Sequence, residues 1–183
     1  MEVISEKLYD KFKNALEAVN GSCIKIQKSD LAQTIVQLYD GLNVKDTCLL
    51  ETDLMKELKV ADHLKEKGIE VFTDHIRLHA ETAIGGISEV AHGIAELGSV
   101  TQESDDVDAR IIATMPEYYI GVIKGSNIID TYDQMFDYLS ELDPIPNYVG
   151  MITGPSRTAD IECVSTVGVH GPLKVTIIVL EDL

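Results

Sequence analysis

The chain has 183 residues, of which 45% are hydrophobic and 25% charged, a composition typical of one compact globular domain and not of a disordered or fibrous chain. Its formal net charge is −16, which would repel nucleic acid and anionic lipid. We therefore expect no nucleic-acid partner and no membrane partner, and an anionic ligand would need a local patch of positive charge.

The first 45 residues predict two amphipathic helices. Apolar residues recur at helical spacing in two stretches, Leu8, Phe12, Leu16 and Val19 in the first and Leu31, Ile35 and Leu38 in the second. Ser5 is the expected N-cap of the first helix, and Gly21 is expected to end it. A helix that is apolar on one side must pack that side against another element. We therefore expect the segment 1–45 to pack on the later core, as a lid or as a docking surface.

From residue 46 onward, short apolar runs alternate with helical segments. The predicted strands are 47–50, 69–73, 118–123, 148–152 and 175–180, and the predicted helices are 53–67, capped by Thr52, 87–96 and 128–142. This alternation predicts an α/β fold with a mostly parallel sheet covered on both faces, within one domain spanning residues 1–183. The stretches 110–114 and 164–169 fit either a strand or a helical turn. Residues 102–108 predict an exposed acidic loop.

The three cysteines, Cys23, Cys48 and Cys163, are widely spaced and flanked by apolar or small residues. This pattern indicates buried, neutral thiols in a reducing compartment. Because no C-x-x-C pair occurs, we expect no self-contained iron–sulfur cluster and no zinc knuckle. The chain also lacks a signal-peptide pattern and a long apolar run, so we expect it to be cytoplasmic.

The segment Gly154–Glu162, which follows a predicted strand, is the most unusual in the chain. Gly-Pro turns the chain sharply, and Ser156 can cap a following helix whose free N–H groups, helped by Arg157, would attract a carboxylate or phosphate. Ligands of open parallel sheets lie off the carboxyl ends of strands, where this turn would fall. Asp160 or Glu162 would hold Arg157 in a fixed orientation. An ordinary strand-to-helix turn with a solvated arginine fits the same pattern.

A single histidine, His170, lies between Gly168 and Gly171 just before the last predicted strand. Flanking glycines let the backbone approach a ligand and leave the imidazole unshielded, and an imidazole titrates near neutral pH. These properties suit a general base. The same pattern also fits a loop histidine without a catalytic role.

Two further patterns carry weaker indications of chemistry. Glu96 ends a predicted helix before the small residues Gly98 and Ser99, so it could face a cleft as a base or nucleophile, or it could be the last solvated residue of the helix. His75 and His79 have a spacing that can hold zinc on one helical face, but no third ligand is defined, and a chance pairing explains them as well.

Taken together, Gly154–Glu162 and Gly168–Pro172 before a terminal apolar strand closely resemble the signature of the LUD-domain family. Residues 86–99 are similar to the family's helix ending in Ala-Glu-Thr-Gly-Thr or Ala-Glu-Thr-Gly-Ser, with Leu97 in place of the usual threonine. Met115-Pro116 is similar to the family's proline-containing connector. The resemblance covers residues 85–183 clearly and the first 84 residues in general layout.

The resemblance implies a three-layer α/β fold akin to the glucosamine-phosphate isomerase, ribose-phosphate isomerase and CoA-transferase group. It also implies a role in the oxidation of L-lactate to pyruvate beside two iron–sulfur partner proteins. Iron–sulfur clusters are then expected only in those partners, with no cofactor in this chain. By the same resemblance, the catalytic residues are His170 and Glu96, and the substrate-binding residues are Ser156, Arg157, Thr158, Asp160, Glu162, Gly98 and Gly171.

Two alternatives to this function remain open at the level of the sequence. The first is an independent enzyme on a sugar-phosphate or acyl-CoA substrate, with Glu96 as base or nucleophile. The second is a non-catalytic assembly or regulatory subunit whose N-terminal helices dock partners. These alternatives stay open because family membership alone does not fix a reaction. The sequence also leaves open whether the chain forms a homo-oligomer.

Overall fold

The computed structural model of the protein describes residues 4–155, 157–158, 166–167 and 171–183, and residues 157, 158, 166 and 167 by their backbone alone. Seven α-helices lie in the described part: α1 (Glu6–Ala18), α2 (Leu31–Leu42), α3 (Asp53–Glu57), α4 (Val60–Glu66), α5 (Ile76–His79), α6 (Val107–Ile112) and α7 (Tyr132–Glu141). The strands are β1 (Ser22–Ile26), β2 (Asp46–Leu49), β3 (Glu70–Phe72), β4 (Gly85–Glu89), β5 (His92–Ile94), β6 (Ser99–Glu103), β7 (Tyr118–Lys124), β8 (Ile128–Ile129), β9 (Val149–Ile152), β10 (Arg157–Thr158), β11 (Thr166–Val167) and β12 (Lys174–Leu180).

Six strands form an all-parallel main sheet in the order β1-β12-β7-β4-β2-β3. Side chains alternate across it, so that in β12 Ile178 faces α2 and α4 while Ile177 faces the opposite side, where α1 lies. Helices α5 and α6 cover the same side as α1, at the β2 end of the sheet. The predicted α/β fold with a mostly parallel sheet is therefore confirmed.

The N-terminal segment contributes a strand as well as the two predicted helices. Ser5 caps α1 as expected, since its Oγ accepts a hydrogen bond from the N–H of Leu8 at 3.3 Å. Between α1 and α2, however, β1 pairs with β12 at the edge of the main sheet. The sequence missed β1 because a five-residue strand that includes Ser22 and Lys25 carries little apolar periodicity. The apolar sides of both helices are buried in the chain's own core.

A smaller, mixed sheet lies on the α1 side of the main sheet, in the order β8-β5-β6-β9. The predicted helix 87–96 is wrong, because these residues form the end of β4, the strand β5 and the turn after it. Ile87, Val90 and Ile94 do recur at helical spacing, but pairing of β4 with β2 and β7 holds the chain extended. Tertiary pairing thus overrides the local period.

The predicted helix 53–67 is broken into α3 and α4. Thr52 caps α3 as expected, its Oγ1 accepting from the N–H of Met55 at 3.4 Å. The break falls at Lys59, which has a φ of 50° in the left-handed region, a conformation that interrupts a helix. The loss of one continuous helix therefore follows from a single backbone position.

Two other segments are settled by the structure. In the predicted helix 128–142, Ile128–Ile129 is strand β8 and only α7 is helical, because the capping box of Thr131 and Gln134 sets the start of α7. The ambiguous stretch 110–114 belongs mainly to α6.

In the described part of the chain, no helix combines the length and the apolar composition that a membrane span requires.

Candidate functional site

The turn at Gly154 and Pro155 follows β9, which is a strand of the small mixed sheet. The expectation that this turn lies off the carboxyl end of a parallel strand is therefore wrong. Gly154 has a φ of +66°, and a Cβ on it would come 2.7 Å from the carbonyl oxygen of Val19. Only glycine fits here, so this turn packs closely against the C-terminal end of α1.

The chain does not form a helix directly after Ser156. Arg157 and Thr158 form β10, which pairs antiparallel with β11. The predicted helix N-terminus with free N–H groups is wrong at this point, because a paired strand engages its backbone in the ladder. Ser156 lies outside the described residues, as do Asp160, Glu162 and His170; of 164–169, β11 takes 166–167 and the other four lie outside them.

The pairing of β10 with β11 connects the segment of Arg157 with the two residues that precede Gly168–Pro172 by no more than two positions in the sequence. Arg157 is opposite Val167, and Thr158 is opposite Thr166. Partner residues of an antiparallel pair have Cα atoms about 5 Å apart. Val167 directly precedes Gly168–Pro172 in the sequence, so the chain enters that motif from the strand that pairs with Arg157.

Glu96 and Gly98 lie in the turn between β5 and β6, not at the end of a helix. The Glu96 carboxylate accepts a hydrogen bond from the N–H of Tyr132 at 2.9 Å, at the first residue of α7. Gly98 has a φ of +63°, and a Cβ on it would overlap the backbone of Ala15 and Leu16 in α1. This turn therefore requires glycine for both its conformation and its close packing.

The turn at Glu96–Ser99 and the turn at Gly154 meet in the structure. The Oγ of Ser99 and the Oγ1 of Thr153 are 2.6 Å apart and share a hydrogen bond. Both turns also pack on the last turn and a half of α1, through Gly98 and Gly154. Two turns that lie far apart in the sequence thus form one surface with the C-terminal end of α1.

Gly171 lies near the amino end of β12 in the main sheet. It has a φ of +78° and precedes the start of β12 by three residues, and the N–H of Leu173 donates to the carbonyl oxygen of Glu117 at 2.8 Å. Val19 likewise precedes the start of β1, the parallel neighbour of β12, by three residues. The turns at Gly98, Gly154 and Gly171 therefore lie toward the amino ends of β1 and β12, and we call this region the amino-end surface.

A second polar site lies at the opposite edge, where β2 and β4 end. A cavity of about 280 Å³ opens there, which we call the carboxyl-end crevice. Its lining comes from the ends of β2 and β4, from β6 and from the residues around them: Leu50, Thr52, Glu89, Val90, Ala91, Gln102, Glu103, Ser104, Ala109 and Asn127.

Glu103 organises one wall of the carboxyl-end crevice. Its Oε1 accepts from Thr101 Oγ1 at 3.0 Å and lies 3.1 Å from Nδ1 of His92, and its Oε2 accepts from the hydroxyl of Tyr138 at 3.1 Å. Burial and the Glu103 carboxylate both raise the pKa of Tyr138.

A buried chain of hydrogen bonds stands next to this wall. The Ser88 hydroxyl donates to Oε1 of Gln102 at 3.0 Å and lies 2.8 Å from the hydroxyl of Tyr119. All three residues are buried. Burial raises the pKa of Tyr119, so this hydroxyl stays protonated as a hydrogen-bond donor.

Comparisons with known proteins fix the family. The model of the LUD domain matches residues 9–180. The chain belongs to the LUD-domain family. It is 38% identical over 184 residues to lactate utilization protein C of Shouchella clausii, covering 97% of this chain and 80% of that protein. It is 30% identical over 196 residues to lactate utilization protein C of Halalkalibacterium halodurans, covering 99% and 84%.

The fold of this LUD domain has a solved counterpart. A crystal structure of a DUF162 family protein from Deinococcus radiodurans matches it with a TM-score of 0.69, covering 95% of this chain and 96% of that one. At 16% sequence identity, this match shows the shared fold alone.

The carboxyl-end crevice of the LUD domain was missed by the sequence analysis. Residues 102–108 were expected to form an exposed acidic loop, but Gln102 and Glu103 belong to β6 and are largely buried. Polar side chains can occupy such a strand when each finds a hydrogen-bond partner, and sequence alone does not reveal the partners. The usable signal was Val100-Thr101 directly after a glycine turn, which favours a strand.

The structure gives no support to a zinc site at His75 and His79, whereas two of the cysteines are buried as predicted. The His79 ring stacks on Phe72 at 3.9 Å, and among the described residues no group of three His, Cys, Asp or Glu side chains could hold a metal ion. Cys23 and Cys48 are free and buried, as expected, and burial raises their pKa to about 12 and about 11. Cys163 lies outside the described residues.

Proposed function

We propose that this LUD-domain protein binds a small carboxylate and acts in the oxidation of L-lactate to pyruvate, as one component of an assembly with iron–sulfur proteins. The observation that carries the proposal is its similarity, along nearly the whole chain, to two proteins named lactate utilization protein C. The geometry of the amino-end surface supports a site for the carboxylate.

In the proposed site, Arg157 binds the carboxylate with its guanidinium, which suits two parallel hydrogen bonds. Ser156, Thr158 and the backbone at Gly98 and Gly171 complete the contacts. Three observations support this grouping: the pairing of Arg157 with Val167, the hydrogen bond between Ser99 and Thr153, and the packing of two glycine turns on α1. Asp160 or Glu162 orients Arg157.

Oxidation of lactate to pyruvate removes two protons and two electrons from the hydroxyl-bearing carbon and its oxygen. We assign His170 to accept the hydroxyl proton, because an imidazole is effective as a base near neutral pH. The bond between the carbon and its hydrogen must break as well; its two electrons would go to iron–sulfur clusters of the partner proteins, and its proton would be released to solvent. A self-contained cluster needs four thiolates, and the three cysteines of this chain include no C-x-x-C pair, which supports placing the clusters outside this chain.

The two alternatives have less support from the contacts. The Glu96 carboxylate is engaged with the backbone at the start of α7, which ties up one oxygen that a base or nucleophile would need. The apolar sides of α1 and α2 are buried against the main sheet, so a partner docking on these helices would meet their polar sides.

The proposal is tested by ligand-dependent thermal stability of the full chain. L-Lactate and pyruvate should raise the melting temperature of the native protein, because a ligand that binds only the folded state stabilises it. The variant Arg157→Ala should lose this response. The matched control is Arg77→Ala, which removes the same charge from an exposed position in α5.

Two results would contradict the proposal. The first is an unchanged lactate response in Arg157→Ala; the second is an equal loss in Arg77→Ala, since that would show a general charge effect. The partner claim has its own test: the tagged chain, purified from its native cells with and without lactate growth, should retain iron and acid-labile sulfide in proportion to co-purified protein. A purified chain that oxidises lactate with a simple dye and no partner would contradict it.

A further inference from the structure

A cavity lies on the α2 side of the main sheet, at the amino ends of β2 and β3. Two segments line it: α2 with the residues that lead into β2, and residues 67–69, which connect α4 to β3. Its volume is about 230 Å³. Drug-sized ligands occupy about 300–1,000 Å³, so an occupant of this cavity is a small molecule. We call it the α2 cavity. It is separate from the amino-end surface, whose turns lie toward β1 and β12 on the α1 side.

The floor of the α2 cavity is apolar. Four of its lining residues are buried members of the core beneath α2, namely Val36, Tyr39, Val44 and Ile69. The Tyr39 hydroxyl lies 2.9 Å from Oγ1 of Thr47, so the polar end of this side chain is satisfied within the core. The floor can therefore remove an apolar group from water, which favours a ligand with a hydrocarbon part.

The rim of the α2 cavity carries charges of both signs. Lys45, Lys67 and Asp40 line the cavity and are exposed to solvent. None of these three takes part in an ion pair among the described residues, whereas lysines elsewhere, such as Lys25 and Lys28, pair with glutamates. Asp40 lies in the last turn of α2, and the C-terminal end of a helix carries a partial negative charge. The rim therefore offers an acceptor for an ammonium group and two donors for an anion.

This combination of charges selects a zwitterion over a simple ion. A ligand with only a carboxylate would be attracted by the two lysines, but Asp40 and the end of α2 would repel it. A ligand with only an ammonium group would be attracted by Asp40, but the two lysines would repel it. A molecule that carries both groups close together satisfies both signs, and the unfavourable contacts of the simple ions provide the discrimination.

We propose that the α2 cavity binds a free α-amino acid with an apolar side chain. The carboxylate of the amino acid accepts hydrogen bonds from the ammonium groups of Lys45 and Lys67, and its own ammonium group donates to the Asp40 carboxylate. Its side chain packs against the buried floor. L-Lactate lacks the ammonium group, so this site and the one proposed at the amino-end surface select different molecules.

Backbone hydrogen bonds hold both walls of the α2 cavity before a ligand arrives. At the end of α2, the N–H of Val44 donates to the carbonyl oxygen of Tyr39 at 3.0 Å. On the other wall, the N–H of Ile69 donates to the carbonyl oxygen of Leu64 at 3.1 Å, and Gly68 closes the turn with a φ of +78°. Fixed walls reduce the ordering cost of binding, which matters for a small ligand with few contacts.

The test uses L-leucine as the probe, with the full chain in solution. L-Leucine should cause saturable shifts in the backbone amide NMR signals of Val44 and Gly68. Three compounds each lack one feature of the proposed ligand: isocaproate lacks the ammonium group, isoamylamine lacks the carboxylate, and L-serine lacks the hydrocarbon side chain. Each should bind at least about tenfold more weakly than L-leucine, a difference of about 1.4 kcal/mol.

Variants separate the site from a general effect of charge. Lys67→Gln and Asp40→Asn should each weaken L-leucine binding about tenfold, or about 1.4 kcal/mol. The matched controls are Lys65→Gln and Asp62→Asn, which remove the same charges from α4 outside the cavity and should leave the binding unchanged. All four residues are exposed, so these substitutions leave the core intact.

Three outcomes would overturn the proposal. One is the absence of saturable, leucine-dependent shifts at Val44 and Gly68. Another is binding of isocaproate or isoamylamine as tight as that of L-leucine, which would show that the site does not read both charges. The third is an equal loss of binding in the control variants. Failure of the lactate proposal at the amino-end surface would leave each of these outcomes unaffected.

Discussion

The amino-end surface and the carboxyl-end crevice are built by different physical means. Described contacts at the amino-end surface are mostly close backbone packing: Gly98 and Gly154 leave no room for a Cβ beside α1. At the carboxyl-end crevice they are side-chain hydrogen bonds, centred on Glu103 and Gln102. A site built from tight turns leaves a glycine pattern in the sequence, whereas a site built from side-chain partners leaves scattered polar residues.

This difference explains which site a sequence can reveal. The glycines and prolines near residues 98, 154 and 171 form compact motifs because each tight turn needs its residues adjacent in the chain. The partners of Glu103 come from positions 92, 101 and 138, which only the fold brings together. The following predictions test whether the two regions depend on these different interactions.

The largest effect is expected from Gly98→Ala. A Cβ at this position would overlap α1, and φ is +63°, so the variant should lose about 3 kcal/mol or more of unfolding free energy. Urea denaturation followed by circular dichroism measures the change. The control is Gly41→Ala in α2, where a Cβ would have open space, and it should be neutral or stabilise by up to about 1 kcal/mol. Equal effects of the two substitutions would refute the packing role of Gly98.

At the carboxyl-end crevice, Glu103→Ala should reduce the unfolding free energy by about 2–3 kcal/mol, because it removes an acceptor with three partners. Tyr138→Phe removes one of these bonds and should cost about 1 kcal/mol. Denaturation curves of the two single variants and the double variant provide the measurement. Full additivity of the two losses would contradict a shared network.

The buried thiols predict a loss of stability at alkaline pH. Burial raises the pKa of Cys23 from 9.0 to about 12 in the folded protein, so its contribution is fully present below pH 9 and is lost as the pH rises toward 12. Between pH 9 and 11 this thiol alone should lower the unfolding free energy by about 1.4 kcal/mol per pH unit.

The variant Cys23→Ala isolates the contribution of that thiol. At pH 7 the variant should be less stable than the native protein, because removal of the sulfur leaves a small cavity. Between pH 9 and 11, however, its unfolding free energy should fall less steeply than that of the native protein. Denaturation at several pH values gives both slopes. Identical slopes would show that the Cys23 thiol ionises equally in the folded and unfolded chain.

The smallest effect is expected from the hydroxyl pair that joins the two turns of the amino-end surface. Ser99→Ala should cost about 1 kcal/mol, the usual value of one hydrogen bond. Thr153→Val should cost a similar amount, and the double variant should cost little more than either single one. A double-variant loss equal to the sum would mean that the two hydroxyls stabilise the turns independently.

Much of the main sheet followed from the sequence alone. The strands at 47–50, 69–73, 118–123 and 175–180 were predicted within a few residues, because buried parallel strands are short apolar runs bounded by turns. The caps at Ser5 and Thr52 were also predicted, since an N-cap is a local interaction. The family was identified from its turn motifs, which are local for the same reason.

The tertiary structure alone decided what depends on distant partners. Pairing with β2 and β7 made 85–89 a strand despite its helical spacing, and pairing with β12 added a strand between the first two helices. The meeting of Ser99 with Thr153 and the network around Glu103 join residues that are far apart in the chain. Hydrogen bonds across such separations depend on the path of the whole backbone, and no local sequence pattern encodes that path.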